Sequence, residues 1–154
     1  MQEVINKLLN NHLTISTMES CTGGAISNAI TNIPRSSEVF MYSAITYSNE
    51  FKIKMGVSKE IIAKYTVYSK EVANEMSINI SKFTNSDYGI GITGKLNRAD
   101  INNPYGADNL VYISIYQKKN NTFYNDIVKC INDSRPDNKN LVIDKVVDML
   151  LKLL

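Results

Sequence analysis

Ser20 has the chemistry of a nucleophile and the surroundings of one. It lies in Glu19-Ser20-Cys21-Thr22-Gly23-Gly24, a run of small residues between an extended segment and a helical one. Before it, Leu13, Ile15 and Thr17 fall on one face of a strand and Thr14, Ser16 and Met18 on the other. After it, Ala25, Ile26, Ala29 and Ile30 recur at helical spacing. Backbone N–H groups at a helix start have no intrahelical partner. Those of Cys21, Thr22, Gly23 and Gly24 are therefore candidates to hold an oxyanion or a phosphate. Cys21 is the rival nucleophile, because a helix N-terminus depresses a thiol pKa. With no histidine nearby it ranks second. The same residues also serve plain structural ends, a serine as helix cap and paired glycines for tight packing.

A second constellation is Thr46-Tyr47-Ser48-Asn49-Glu50-Phe51-Lys52. A strand ending near Tyr47 gathers Tyr47, Asn49 and Lys52 at one strand-to-helix junction. A lysine there acts as a base only if burial or nearby positive potential lowers its pKa. Judged by spacing alone, a solvated helix lysine is the more ordinary outcome. Thr93-Gly94 follows a strand and either offers a hydroxyl to a ligand or makes a turn. Arg135, just before Pro136, suits a bidentate phosphate contact or stands as a surface charge. His12 is the only histidine and closes the first helix, so a histidine-based triad is set aside.

The elements that must position these residues follow from periodicity. Val4, Ile5, Leu8 and Leu9 line a first helix, and a strand spans residues 13–18. A helix over 24–32 ends before Pro34. A strand runs from Val39 to Tyr47, and a short helix from Asn49 to Met55. Ser58 caps a helix reaching Lys64, and Ser69 caps a longer one with Val72, Ala73, Met76 and Ile80 on one face. Tyr88 to Ile92 is a third strand. Asn109–Tyr116 and Phe123–Ile131 pair as a hairpin, and the last helix covers about Asn138 to Leu153. Strands alternate with helices early and pair directly late. The expected fold is a three-layer α/β/α sandwich with a mixed sheet, one domain over residues 1–154. Residues 94–108 form the longest stretch without periodicity, and loops of that length often carry function.

Composition narrows the function classes. A net charge of +2 with scattered lysines gives no basic stripe, which argues against nucleic acid. Cys21 and Cys130 are far apart and share no metal-ligand spacing, so neither a disulfide framework nor a zinc site is expected. No apolar run approaches a membrane span, and the N-terminus lacks a signal-peptide pattern. A cytoplasmic enzyme without metal or cofactor is the expectation.

The ordered set ESCTGG, Pro34 with two serines, TYSNEFK followed by Gly56-Val57, Ser69-Lys70-Glu71-Val72-Ala73 and Ile92-Thr93-Gly94 resembles the C-terminal domain of competence/damage-inducible protein CinA. The resemblance is strongest over residues 14–94, and the pairing of ESCTGG with YSNEFK is its specific part. It implies an amidase that converts nicotinamide mononucleotide to nicotinic acid mononucleotide and ammonia, in a homodimer or higher oligomer. In that reading Ser20 maps to the nucleophile and Lys52 to the base that activates it. Tyr47 orients Lys52 or touches substrate. Thr93, Gly94 and Asn49 lie beside the nucleotide, and Arg135 maps to a basic position suited to the phosphate.

The resemblance breaks after Thr93-Gly94. A glycine- and proline-rich loop is usual there, whereas this chain has Lys95-Leu96-Asn97-Arg98-Ala99-Asp100-Ile101-Asn102-Asn103-Pro104. Arg35 also follows Pro34 in place of a glycine, and Ser43 replaces another. A side chain where backbone approaches a ligand blocks that approach or forces a new loop path. The alternatives are an amidase for another amide, or a non-catalytic relative binding a nucleotide or a protein. An open pocket at Ser20 and Lys52 favours catalysis, and a loop that plugs it favours binding.

Overall fold

Five segments rich in β-branched and aromatic residues build one mixed sheet in the order β2-β1-β3-β4-β5. The computed structural model describes all of residues 1–154. β1 (Ile15–Glu19) is central, parallel to both β2 (Phe40–Ile45) and β3 (Tyr88–Gly94). β4 (Leu110–Gln117) runs antiparallel to β3 and forms a hairpin with β5 (Thr122–Lys129). The chain leaves β1 for a neighbour on one side and returns to a neighbour on the other. Ligands collect where strand order diverges in this way, at the carboxyl ends of the parallel strands. Ser20, Thr46 and Gly94 lie at those ends.

Helices cover both faces. α1 (Gln2–Asn10), α2 (Ala25–Thr31) and α6 (Arg135–Leu153) share one core with the sheet, through Ile5, Leu8, Ile26, Ile30, Val142, Val146 and Leu150 against Ile15, Ile90 and Ile92. α3 (Asn49–Lys54), α4 (Lys59–Tyr65) and α5 (Lys70–Thr84) link β2 to β3. Val72, Met76 and Ile80 of α5 pack with Met18 and Ala44 on the opposite face. The three-layer α/β/α sandwich expected from the sequence is the observed architecture. α5 lies directly on β3 because Gly89 and Gly91 face it. A Cβ at either would stand 2.0 Å from the Ser77 carbonyl oxygen or 2.2 Å from that of Ala73.

Ser58 and Ser69 cap their helices as expected, and Ser48, not singled out in the sequence, caps α3. Ser48, Ser58 and Ser69 accept N–H bonds from Phe51, Ile61 and Val72. The last helix begins three residues before its expected start at Asn138. Ser134 caps it, and Pro136 sits in the first turn, where its missing N–H costs nothing. Arg135 is therefore the first helical residue rather than a loop residue ahead of the helix. Strands β2 and β5 are each shorter than their apolar patterns suggested. Arg35 occupies the left-handed region, with φ 68°, as a glycine there readily would. Ser43 lies within β2, and its hydroxyl is bonded to those of Thr17 and Ser27.

Candidate active site

Ser20 follows the last residue of β1, with its N–H donated to the Ile92 carbonyl of β3. On its other side the Glu19 carbonyl accepts the Thr46 N–H. The strand ends thus clamp the backbone on both flanks. Alternation along β1 then sends Ser20 and Met18 to the α5 side, and Glu19 and Thr17 to the α2 side.

Lys52 approaches Ser20 from α3. Its Nζ donates to Ser20 Oγ at 2.9 Å and to the Thr46 carbonyl at 2.8 Å. It is 1% exposed, and no carboxylate pairs with it. Burial lowers its pKa from 10.5 to about 8, a desolvation effect that the Cys21 thiol and Asp100 only partly oppose. Near neutral pH a usable fraction of this lysine is uncharged. It is no longer the solvated side chain that its residue type suggests.

Glu19 is the residue that sequence reasoning missed. Its fully buried carboxylate accepts the hydroxyls of Thr22 (2.7 Å) and Ser27 (2.6 Å) and the N–H groups of Gly24, Ile26 and Ser27 at 2.9–3.1 Å. It occupies the start of α2, where the sequence left room for an external anion. An acidic residue beside a helix start is the available signal. This corrects the expected oxyanion donors. The Gly24 N–H is consumed by Glu19, and the Gly23 N–H by the Ser20 carbonyl at 3.0 Å. Cys21 and Thr22 keep N–H groups with no internal acceptor. Gly23 and Gly24 serve the turn instead, with φ of 61° and 92°.

The rival nucleophile is also corrected. Cys21 is 7% exposed, and burial raises its pKa to about 12, so the thiol stays neutral. Thr93 is fully buried and donates its hydroxyl to the Val67 carbonyl at 2.9 Å, away from any ligand. Tyr47 does not hold Lys52, whose contacts are Ser20 and Thr46. It is 65% exposed on the cavity wall, free to meet a ligand.

A cavity of about 550 Å³ opens over Ser20. Ser20, Cys21, Tyr47, Asn49, Gly94 and Arg135 line it, so the structure brings these expected residues together, with Lys52 directly behind Ser20. The 94–108 loop makes the opposite wall and does not plug the space. Leu96 turns into the core at 1% exposure. Lys95 is sealed inward, 2.8 Å from Asp108 and over the Tyr68 ring. The Tyr68 hydroxyl donates to Asp100, which also accepts from the Asn103 amide at 2.9 Å. Asn103 in turn accepts the Asn49 amide at 2.8 Å, which ties α3 to the loop. Burial and the acceptor Asp100 push the Tyr68 phenol up, while the Tyr68 hydrogen bond holds Asp100 below the usual carboxylate range.

Comparison with known proteins gives a consistent answer. The CinA C-terminal domain profile matches residues 1–154. A Clostridium botulinum (strain Langeland) protein named as competence-damage inducible is 46% identical over 120 residues, covering 75% of this chain and 29% of that protein. One from the Loch Maree strain is 39% identical over 158 residues, covering 99% of this chain and 37% of the relative. The chain thus spans about a third of the length of these curated relatives. Among solved structures, an Escherichia coli CinA superfamily protein superposes with a TM-score of 0.86 at 23% identity, over 99% of this chain and 87% of that one. Competence/damage inducible protein CihA from Agrobacterium tumefaciens gives 0.84 at 24%, over 99% and 94%. Identities this low speak for the fold alone, whereas the profile match over every residue speaks for descent: the chain belongs to the CinA C-terminal domain family.

Proposed function

We propose that the protein is an amidohydrolase that deamidates nicotinamide mononucleotide to nicotinic acid mononucleotide and ammonia through Ser20 and Lys52. The observation that carries this reading is the buried 2.9 Å contact between Lys52 Nζ and Ser20 Oγ, with no carboxylate to hold the lysine charged. A buried lysine is costly, and packing gives no reason to aim one at a serine on a cavity wall.

The steps follow from the geometry. Neutral Lys52 takes the Ser20 hydroxyl proton as Oγ attacks the carboxamide carbon. The oxyanion that forms is held by the free N–H of Cys21, which lines the cavity beside Ser20. Losing one such donor typically costs a factor of roughly a hundred or more in rate. When the intermediate collapses, the Lys52 ammonium gives its proton to the departing nitrogen, and ammonia leaves. An ester on Ser20 remains. Lys52 then deprotonates a water that attacks the ester, and returns the proton to Ser20 Oγ as the carboxylate product leaves. The Thr46 carbonyl keeps Nζ on line throughout. That Arg135 and Tyr47 both line the cavity supports a phosphate contact for the first and a substrate contact for the second.

The test is ammonia release from nicotinamide mononucleotide by the purified protein beside the Ser20→Ala and Lys52→Gln variants. Release by the unmodified protein and by neither folded variant is expected. Full activity in either variant would sink the mechanism. No release from any of them would remove this substrate. The rate should climb as pH rises toward and past about 8, as Lys52 loses its proton.

A further inference from the structure

Two cations on the cavity wall have no acidic partner, and a third unpaired cation stands near the turn that follows Ser20. Arg98 and Arg135 line the cavity. Lys139, one turn after Arg135 on α6, holds its Nζ 3.6 Å from where a Gly23 Cβ would stand. The molecule's four ion pairs are Arg35–Glu38, Lys54–Glu50, Lys95–Asp108 and Lys145–Asp126, and none uses these three residues. Asp100 is the one carboxylate on the cavity wall. It is already engaged by Tyr68, the Asn102 N–H and the Asn103 amide.

Arg98 also sits in a fixed frame. Its N–H donates to the Asp108 carbonyl at 3.1 Å. Asn97, left-handed with φ 57°, donates its amide to the Asn132 carbonyl at 3.1 Å. Asn138, fully buried, binds Asn132 at both its N–H (3.1 Å) and its carbonyl (2.7 Å). The loop carrying Arg98 is thus stitched to the segment that leads into Arg135. Two guanidiniums from distant parts of the chain thus line one cavity, neither used in an ion pair.

We infer that Arg98 is a specificity-determining residue, which with Arg135 grips the phosphate of the substrate and selects against the same amide without a phosphate. The name of that substrate rests on the amidase reading, but the recognition of a phosphate does not. Each guanidinium can present paired N–H groups to phosphate oxygens, and two forks satisfy a dianion better than one. A cavity of about 550 Å³ suits a small molecule rather than a protein segment. Arg98 belongs to the loop that departs from the glycine-rich pattern. The departure thus adds a recognition group rather than closing the site.

Calorimetry on the Ser20→Ala protein, with and without Arg98→Gln, tests this with three probes: nicotinamide mononucleotide, nicotinamide riboside and inorganic phosphate. Arg98→Gln should weaken the mononucleotide and phosphate by about ten- to a hundredfold, the range of one charge-assisted contact, and leave the riboside unchanged. Arg98→Lys should recover part of the loss. Unchanged mononucleotide and phosphate binding in Arg98→Gln, or equal weakening of the riboside, would overturn the inference. So would no binding of either phosphorylated probe. Arg98-dependent phosphate binding without ammonia release by the unmodified protein would support this inference while removing the amidase reading.

Discussion

The two walls of the cavity are made in opposite ways. The Ser20 wall is backbone geometry. Strand ends clamp the serine, Glu19 fills the helix start beneath it, and Lys52 is buried against it with one carbonyl to steer it. The 94–108 wall is a mesh of side chains, Lys95 with Asp108, Tyr68 with Asp100, Asn103 with Asn49 and Asn97 with Asn132. The first wall has little freedom, because moving Ser20 means breaking the sheet. The second can change residue by residue while the frame stands. The proposed amidase thus puts its chemistry on the rigid wall and its recognition on the replaceable one.

Lys52→Met probes the rigid wall hardest. Activity should fall by about a thousandfold or more, since the proposed mechanism makes the base and the proton donor one group. Stability should move the other way. Lys52 titrates at about 8 in the fold and near 10.5 when unfolded, so the unfolded chain binds more protons between those values. The folded state bears the full cost of the buried charge below pH 8 and is relieved of it as pH rises to about 10.5. That cost is on the order of 3 kcal/mol, of which an apolar methionine should recover about 1–3 kcal/mol at pH 7. Chemical denaturation at pH 7 and pH 10 checks it. The variant's advantage should shrink at the higher pH, and a destabilised variant at pH 7 would mean that Lys52 is structural.

Glu19→Gln comes next. The amide would turn an N–H₂ group toward backbone donors at Gly24, Ile26 and Ser27 that now meet a carboxylate. A loss of about 3 kcal/mol is expected, together with at least a tenfold drop in kcat as the turn carrying the Cys21 donor shifts. Unfolding curves and kinetics on the folded fraction separate the two effects. A variant of unchanged stability would show that the rigid wall does not depend on this carboxylate.

Legibility in the sequence divides along the same line. The strand–turn–helix around Ser20 was readable from alternation and small residues, and so were the serine caps, because both are local. Lys52 was not readable from its own type. Its burial depends on α3 folding back beneath the end of β1, a contact 32 residues away in sequence, and only the YSNEFK resemblance pointed to it. Glu19 is in plain view in the sequence but has no evident role there, since nothing local shows that its face of β1 meets α2. Gly23 and Gly24 read as donors in the sequence, which does not show that the Ser20 carbonyl takes the first N–H and Glu19 the second. Thr93 is misleading for a similar reason, its hydroxyl finding the Val67 carbonyl just ahead of α5. The 94–108 segment offers no period, and its order comes from pairs such as Lys95–Asp108 that only the folded chain brings together.

Tyr68→Phe tests the replaceable wall with the smallest expected effect. It removes only the hydroxyl that donates to Asp100 and keeps the ring under Lys95. Asp100 retains the Asn102 and Asn103 donors, so the loop should loosen rather than unfold. Stability should change by less than about 1 kcal/mol, because the carboxylate is exposed enough to be rehydrated. KM for nicotinamide mononucleotide should rise several-fold with kcat nearly constant, since Ser20 and Lys52 do not touch Tyr68. A fall in kcat as large as that of Lys52→Met, at unchanged KM, would break the division between the walls. Tyr68 would then have to act in the transition state, and the mesh that holds the loop would belong to the chemistry as fully as the sheet does.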